Sequence, residues 1–366
     1  DALSFAPRRY ASEVAVQLAE KLAAIAPGGL SKVLFTTGGS DAVEVAVKLA
    51  RAATGRFKTL SFWDAFHGAG IGASALSGEA LFRAGPVAPL VAGAQHVAPF
   101  ACYRCPYGHP VDADGQPILD RCHTACASMV EYVLAREGDV AAVIAEPARA
   151  VPYLAPPGYW QSVRAACAHH GALLIFDEIP TGLGKTGRMF ACQHDDVAPD
   201  ILVLGKALGG GILPIAAVLA RPELDVAGSW AFGHYTHEKN PVTARAALTT
   251  IEIIEDEGLV ENAARVGALA LARLAAMKRT LPVIGDVRGR GLLIGIELVR
   301  SRADKVPDDD LAEVVLYRAL DRGLSFKVTM GNVLTLTPPL TVTEAEMTRA
   351  LDILAEAIAA GADQPA

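Results

Sequence analysis

Short apolar runs that end in a polar residue recur along this chain. The clearest two lie between Ala172 and Gly211, in ALLIFDEIPTGLGKTGRMFA and DILVLGKALGGG. LLIF ends in Asp177 and ILVLG in Lys206, the pattern by which buried parallel strands deliver side chains to the C-terminal rim of a sheet. A carboxylate and an amine are thereby expected on one rim. From Ala11 to Ile25, apolar Val14, Leu18, Leu22 and Ile25 recur at helical spacing, and Pro27-Gly28-Gly29 closes the helix. KVLFTTGGSDAVEVAVKLAR reads as a strand, a glycine turn and an amphipathic helix, which points free backbone N–H groups at an anion, with Gly39 and Ser40 as the phosphate candidates. EYVLAREGDVAAVIAEP supplies a helix and then a strand that ends at Glu146-Pro147. From about Asn262 amphipathic helices alternate with strands (VGALALARLAAM, VRGRGLLIGIELV, DLAEVVLYRALDRG, LTLTPPL, EMTRALDILAEAIAAG), as in a smaller C-terminal α/β domain. Arg288 and Arg290, in its RGRG turn, read as structural. The expected division is a helical segment over 1–30, a large domain over 31–260 and a small domain over 261–366.

Composition narrows the class. A chain of 366 residues, 52% of them hydrophobic, carries a sizeable core, and a net charge of −7 without a long basic run argues against nucleic acid or an anionic membrane as partner. The most apolar stretch, Ile201 to Ala220, is interrupted by Lys206, a run of glycines and Pro214, so it makes no membrane span. No basic segment with a signal-type apolar core stands at Asp1. Six cysteines in a chain of this size suggest reduced thiols and a cytoplasmic enzyme. Cys102 and Cys105 (C-x2-C) and Cys122 and Cys126 (C-x3-C) have spacings that thiolate metal sites use. No chemistry here demands a metal, so the segment reads as a Cys-rich loop and no metal is expected. Asp112 to Gly115 faintly resembles a calcium loop, but later ligand positions do not follow and a turn is expected.

The amine and carboxylate of the central stretch have a specific chemical use. Pyridoxal phosphate needs a lysine to hold its aldehyde covalently and a carboxylate to keep its pyridine nitrogen protonated, so that the ring accepts electrons from a substrate's α-carbon. Lys206 and Asp177 are the candidates. The plainer alternatives are a surface lysine after a strand and a helix-capping aspartate. Gly209, Gly210 and Gly211 weigh against them, because a glycine run lets backbone pass close to a planar ligand.

FDEIPTGLGKTGRMFA followed by LGKALGGG is similar to the class III (ω-) aminotransferases, whose usual form is close to DEVQTGFGRTG and then a lysine before a Gly-rich turn. The resemblance runs from about Val33 to the C-terminus. It implies the fold-type-I α/β architecture, with a large domain built on a mostly parallel central sheet and a smaller C-terminal α/β domain. It also implies pyridoxal 5'-phosphate as cofactor. Gly39, Ser40, Asp41 and Ala42 match the SGTEA motif of phosphate binding. Phe66-His67-Gly68 stands where a Tyr-His-Gly stacks its ring on the cofactor, and a stack needs only the π-face. Glu146 opens the EPxQGE position, and Ile179 is left to pack on the ring. Thr236, in HYTHEKNPV against STFGGNP, matches the threonine that reaches the neighbouring subunit's cofactor phosphate, implying a homodimer with shared active sites. The family also has a further N-terminal segment before its first long helix, and this sequence enters close to that helix.

Departures from the pattern bear on the substrate. The last Glu of EPxQGE reads Val151, and the arginine of NVLRLLPPLTIT reads Thr335, so both partners of a carboxylate gate are absent together. A lone buried arginine would be costly, which makes the double loss self-consistent. Ornithine- or acetylornithine-type substrates are therefore disfavoured, and Arg149, Lys239 and Lys327 become candidates to meet an anionic substrate group. Pro180 replaces a Gln that would donate to the cofactor's phenolic oxygen, which proline cannot do. The leading expectation is transfer of an amino group from an amine or ω-amino compound to a 2-oxo acid. The alternative is a lyase acting on a hydroxy-, phospho- or phosphono-substituted amine, and a third is an inactive scaffold on the same fold.

Overall fold

The computed structural model describes residues 10–88, 90–112 and 114–362. Residues 1–9 of the N-terminal segment lie outside them. Two sheets organise the chain. The larger has seven strands in the order β1-β7-β6-β5-β4-β2-β3. These are β1 (Lys32–Thr36), β2 (Lys58–Phe62), β3 (Ala94–Val97), β4 (Val140–Ala145), β5 (Leu173–Asp177), β6 (Ile201–Leu204) and β7 (Ala216–Ala220). From β6 to β3 every pairing is parallel, and only β7 runs against its neighbours β1 and β6.

Every residue of β4, β5, β6 and β7 is buried, which is why their sequences are continuous apolar runs rather than alternating ones. Helices cover both faces. The helix Gly39–Thr54 packs Val43, Ala46 and Leu49 with Ile144, Ile175 and Val203 in one core. On the other face the helix Tyr159–His170 sets Trp160 edge-on to Phe176 at 4.9 Å and to Phe100 at 5.3 Å. The first long helix, Glu13–Ile25, buries Val14, Leu18 and Leu22 in this same core.

The second sheet has four antiparallel strands in the order β10-β11-β9-β8. They are β8 (Ile284–Arg290), β9 (Leu293–Leu298), β10 (Lys327–Thr329) and β11 (Val333–Leu336). With the helices Leu259–Thr280, Asp309–Leu320 and Glu344–Ala362 they enclose a separate apolar cluster from Ala263 to Ile358. Here one detail differs from the expectation. Arg288 and Arg290 lie on β8 rather than in a turn, and the hairpin turns instead at Gly291 and Leu292. Arg288 leaves only 9% of its side chain exposed because Asp286 Oδ2 at 2.8 Å and Glu297 Oε2 at 2.6 Å neutralise it, while Arg290 pairs with Asp195 at 2.8 Å.

Trp160 ties the core to the rim of the sheet, since its Nε1 donates to the carbonyl of Pro147 at 2.9 Å, just past the end of β4. Trp160→Ala is expected to cost about 3–5 kcal/mol of stability, the range for an emptied aromatic site. A lowered midpoint of thermal unfolding checks it, and an unchanged midpoint contradicts it.

Candidate active site

β5 and β6 end side by side, and the residues after them meet at the C-terminal rim. Asp177, the last residue of β5, is buried. Its Oδ2 lies 2.8 Å from His67 Nδ1 and its Oδ1 accepts from the Ile179 N–H at 3.1 Å. The carboxylate is thus held from two sides in one orientation. Glu178, next in the chain, turns the opposite way and anchors the following loop. It accepts from the N–H groups of Ala191 at 2.6 Å and Cys192 at 2.8 Å and from Thr181 Oγ1 at 3.2 Å, and burial raises its pKa. Two adjacent carboxylates are therefore assigned different work by the strand's alternation.

Lys206 stands one residue beyond Gly205, at φ 40° in the left-handed region. A lysine in that conformation carries local strain, and such outliers concentrate where a side chain must point in one functional direction. It lines a cavity of about 1290 Å³ together with Asp177, Ile179, Gly39, Ser40, Phe66, His67 and Glu146. The residues expected at a cofactor are thus brought together, with the exception of Thr236.

Two glycines show why this wall is smooth. A Cβ on Gly39 would fall 2.8 Å from Ile179 Cδ1, and one on Gly68, at φ 134°, would fall 2.4 Å from Ser40 Oγ. The chain at Gly68 passes so close because Ser40 Oγ accepts from the Ala69 N–H at 3.0 Å. Ser40 lies in the first turn of the helix Gly39–Thr54, where amide N–H groups lack intrahelical partners and favour an anion. The donor set fits pyridoxal phosphate: an amine, a fixed buried carboxylate for a ring nitrogen, a flat apolar flank at Ile179, and a helix start for a phosphate.

Glu146 is buried and accepts from the Ala150 N–H at 2.8 Å and the Phe66 N–H at 3.5 Å, so it braces the two loops that bring Phe66 and Arg149 to the cavity. Phe66 remains accessible, with Phe82 beside it at 4.6 Å between ring centroids. Arg149 and Lys327 also line the cavity, as do Val151 and Thr335. Lys239 does not; its Nζ lies 3.4 Å from the carbonyl of Tyr10. Thr236, at φ 53°, is exposed and likewise outside this chain's cavity.

Three cavity residues carry no signal that singled them out in the sequence. Glu79 and Phe82, in SGEALF, cap and lie on the one-turn helix Ala80–Arg83, respectively, a segment without a motif. Lys185 is in plain view within GLGKTG. Its Nζ donates to the carbonyl of Pro338 at 2.7 Å, and burial lowers its pKa to about 8.

The segment expected as a Cys-rich loop is partly helical, with Cys122 ending the short helix Leu119–Cys122 and Cys126 in the helix Ala125–Glu137. Cys102, Cys105, Cys122 and Cys126 are half-buried free thiols, and burial lifts Cys102 to about 12 and Cys126 to about 11. Among the described residues no group of three or more His, Cys, Asp or Glu is placed to hold a metal. Asp112 makes a turn, its Oδ1 accepting from the N–H groups of Asp114 at 3.0 Å and Gln116 at 2.8 Å. Among the described residues no helix is long and apolar enough to cross a membrane.

Comparison with known proteins agrees with this geometry. The family model "Aminotransferase class-III" matches residues 1–358. The (R)-1-hydroxy-2-aminoethylphosphonate ammonia-lyase of Vibrio splendidus is 44% identical over 364 residues, covering 98% of this chain and 76% of the relative. A leucine/methionine racemase of Thermococcus litoralis is 41% identical over 352 residues, covering 93% of this chain and 76% of the relative. Among solved structures, an aminotransferase of Bacillus anthracis superposes with a TM-score of 0.90 at 33% identity, covering 98% of this chain and 83% of that one.

Proposed function

The chain belongs to the class-III aminotransferase family and uses pyridoxal 5'-phosphate, and from that premise we propose that it is an ammonia-lyase acting on an amine with a hydroxyl on the neighbouring carbon. The observation that carries this reading is that Val151 and Thr335 both line the cavity. A transferase takes two substrates in turn, an amine and a 2-oxo acid, and a movable carboxylate–arginine pair lets one site greet both. Neither valine nor threonine can form that pair. A lyase takes one substrate and needs no such switch. The 44% identity to the Vibrio splendidus lyase supports the same reading, and the 41% identity to a racemase shows that membership alone does not imply transfer.

The cofactor supplies an electron sink for the α-carbon, and the remaining work falls to the protein. Asp177, oriented by His67, would keep the ring nitrogen protonated; Ile179 and Phe66 would offer apolar contact to the ring; Ser40 and the helix start at Gly39 would hold the phosphate. Lys206 Nζ removes the α-proton and passes it to the neighbouring hydroxyl, which leaves as water. The released enamine takes water back and gives a carbonyl compound and ammonia, so the net change is hydroxyamine to aldehyde plus ammonia, with no oxidant and no acceptor. If this holds, adding pyruvate or 2-oxoglutarate leaves the rate of carbonyl formation unchanged. A strict dependence on the oxo acid overturns it.

Transamination is the second reading, favoured by the presence of the lysine, aspartate and phosphate-binding residues of the aminotransferases and by the aminotransferase that superposes on this chain. An inactive scaffold is left without support by the assembled site. We also place Thr236 in a homodimer interface, because it is exposed and lies outside its own chain's cavity. Sedimentation as a monomer at assay concentration contradicts that assignment.

A further inference from the structure

The cation that class III puts at position 335 has a counterpart one strand away. β10 and β11 pair antiparallel with Lys327 directly opposite Thr335. Directly opposed side chains stand on one face with Cβ atoms about 4.5–5.5 Å apart. Strand alternation adds Thr329 and Thr337 to that face, and all four residues line the cavity. Thr329 Oγ1 and Thr335 Oγ1 are hydrogen-bonded to each other at 2.8 Å. This face of the sheet therefore presents one ammonium group and a patch of hydroxyls.

Arg149 comes from another wall of the cavity. It is 3% exposed, and its Nη2 donates to the carbonyl of Asp64 and lies 3.3 Å from Glu79 Oε1. Its Nε is 4.0 Å from Glu146 Oε1, too far for a hydrogen bond. Nε and Nη1 are buried without a hydrogen-bond partner. Unmade donors on a buried guanidinium are costly unless something meets them. Two carboxylates, Glu79 and Glu146, offset part of the Arg149 charge; Lys327 adds a second positive charge facing the same space, close enough to act on Glu79.

We propose that Arg149 and Lys327, with the hydroxyls of Thr329 and Thr335, form a clamp for a tetrahedral dianion on the substrate amine, a phosphonate or a phosphate ester. Donors on two walls suit an oxyanion with three acceptor oxygens better than a planar carboxylate, which one arginine satisfies in its own plane. Because Val151 removes the glutamate that would compete for a cation here, the clamp stays open to substrate. The inference rests on the reading of this cavity as an amine site, but not on whether that amine is eliminated or transferred.

The test is equilibrium binding to the holoenzyme, followed by the initial change in cofactor absorbance, with 2-aminoethylphosphonate, O-phosphoethanolamine, β-alanine and n-propylamine. The wild-type protein is expected to prefer the tetrahedral dianions over both others, and the tighter of the two identifies the source of the dianion. Lys327→Gln is expected to reduce the preference for dianion over n-propylamine about tenfold or more, the loss of one charge-assisted hydrogen bond, and Lys327→Arg to retain it. Lys327 lies on an accessible edge, so its replacement tests the clamp even where Arg149→Gln fails to fold. The proposal is overturned if the wild type shows no preference, if β-alanine matches the dianions, or if Lys327→Gln weakens all four ligands equally. Should the preference hold while ammonia release requires an oxo acid, the clamp stands and the lyase reading falls.

Discussion

Replacing Lys206 with alanine is expected to lower turnover by about 10⁴-fold or more, since the residue is proposed both to hold the cofactor aldehyde and to move the substrate proton. The structure supplies the reason that no neighbour substitutes. Lys185, the other lysine at the rim, is committed by a 2.7 Å hydrogen bond to the Pro338 carbonyl, and Lys327 belongs to the second sheet. Neither has the left-handed backbone at φ 40° that aims Lys206. Lys206→Arg is expected to fail equally, because a guanidinium stays protonated and cannot attack an aldehyde. Steady-state turnover with the cofactor retained, measured by ammonia and carbonyl formation, checks both. A Lys206→Ala protein with more than a hundredth of normal turnover contradicts the assignment.

Asp177→Asn is the second large effect. Asparagine matches aspartate in shape, so the contacts to His67 at 2.8 Å and to the Ile179 N–H at 3.1 Å can survive, but the negative charge proposed to face the ring nitrogen is lost. Removing one preorganised electrostatic group of this kind costs roughly 10²–10³ in the chemical step. The loss should fall on kcat while substrate binding changes little, because the charge matters only as electrons arrive in the ring. A cofactor analogue methylated at the pyridine nitrogen carries a permanent positive charge and is expected to recover part of the rate in Asp177→Asn. No recovery together with a folded, cofactor-loaded variant would argue for a purely structural aspartate.

The central pair was legible in the sequence because its signal is local. LLIF followed by Asp177 and ILVL followed by Gly205-Lys206 are read one strand at a time, and parallel pairing of β5 with β6 does the rest. The helix start at Gly39 and Ser40 was legible for the same reason. What depends on how separate elements meet was not. RGRG has the look of a turn, yet Arg288 lies half-buried on β8 because Asp286 and Glu297 arrive from β8 itself and from β9 to neutralise it. Glu79 carries no motif and reaches the cavity through a loop whose path is tertiary.

The candidate substrate cations show the limit most clearly. Arg149, Lys239 and Lys327 looked alike as isolated charges. Burial distinguishes the first, a position outside the cavity distinguishes the second, and strand register distinguishes the third. That register is set by the three-residue turn Met330-Gly331-Asn332, whose first two residues have φ 52° and 81°. A methionine in that place is poor turn chemistry, and nothing in the sequence alone would have opposed Lys327 to Thr335.

The most direct test of the account counts turnovers without an acceptor. Holoenzyme is mixed with an excess of a 2-hydroxy-amine bearing a phosphonate, no oxo acid is present, and free ammonia is measured against enzyme. Many equivalents of ammonia per subunit, with a cofactor spectrum that returns to its starting form, is the predicted result. A single equivalent of carbonyl product, no free ammonia, and a cofactor left in its amine form until pyruvate is added would contradict the account and establish a transaminase.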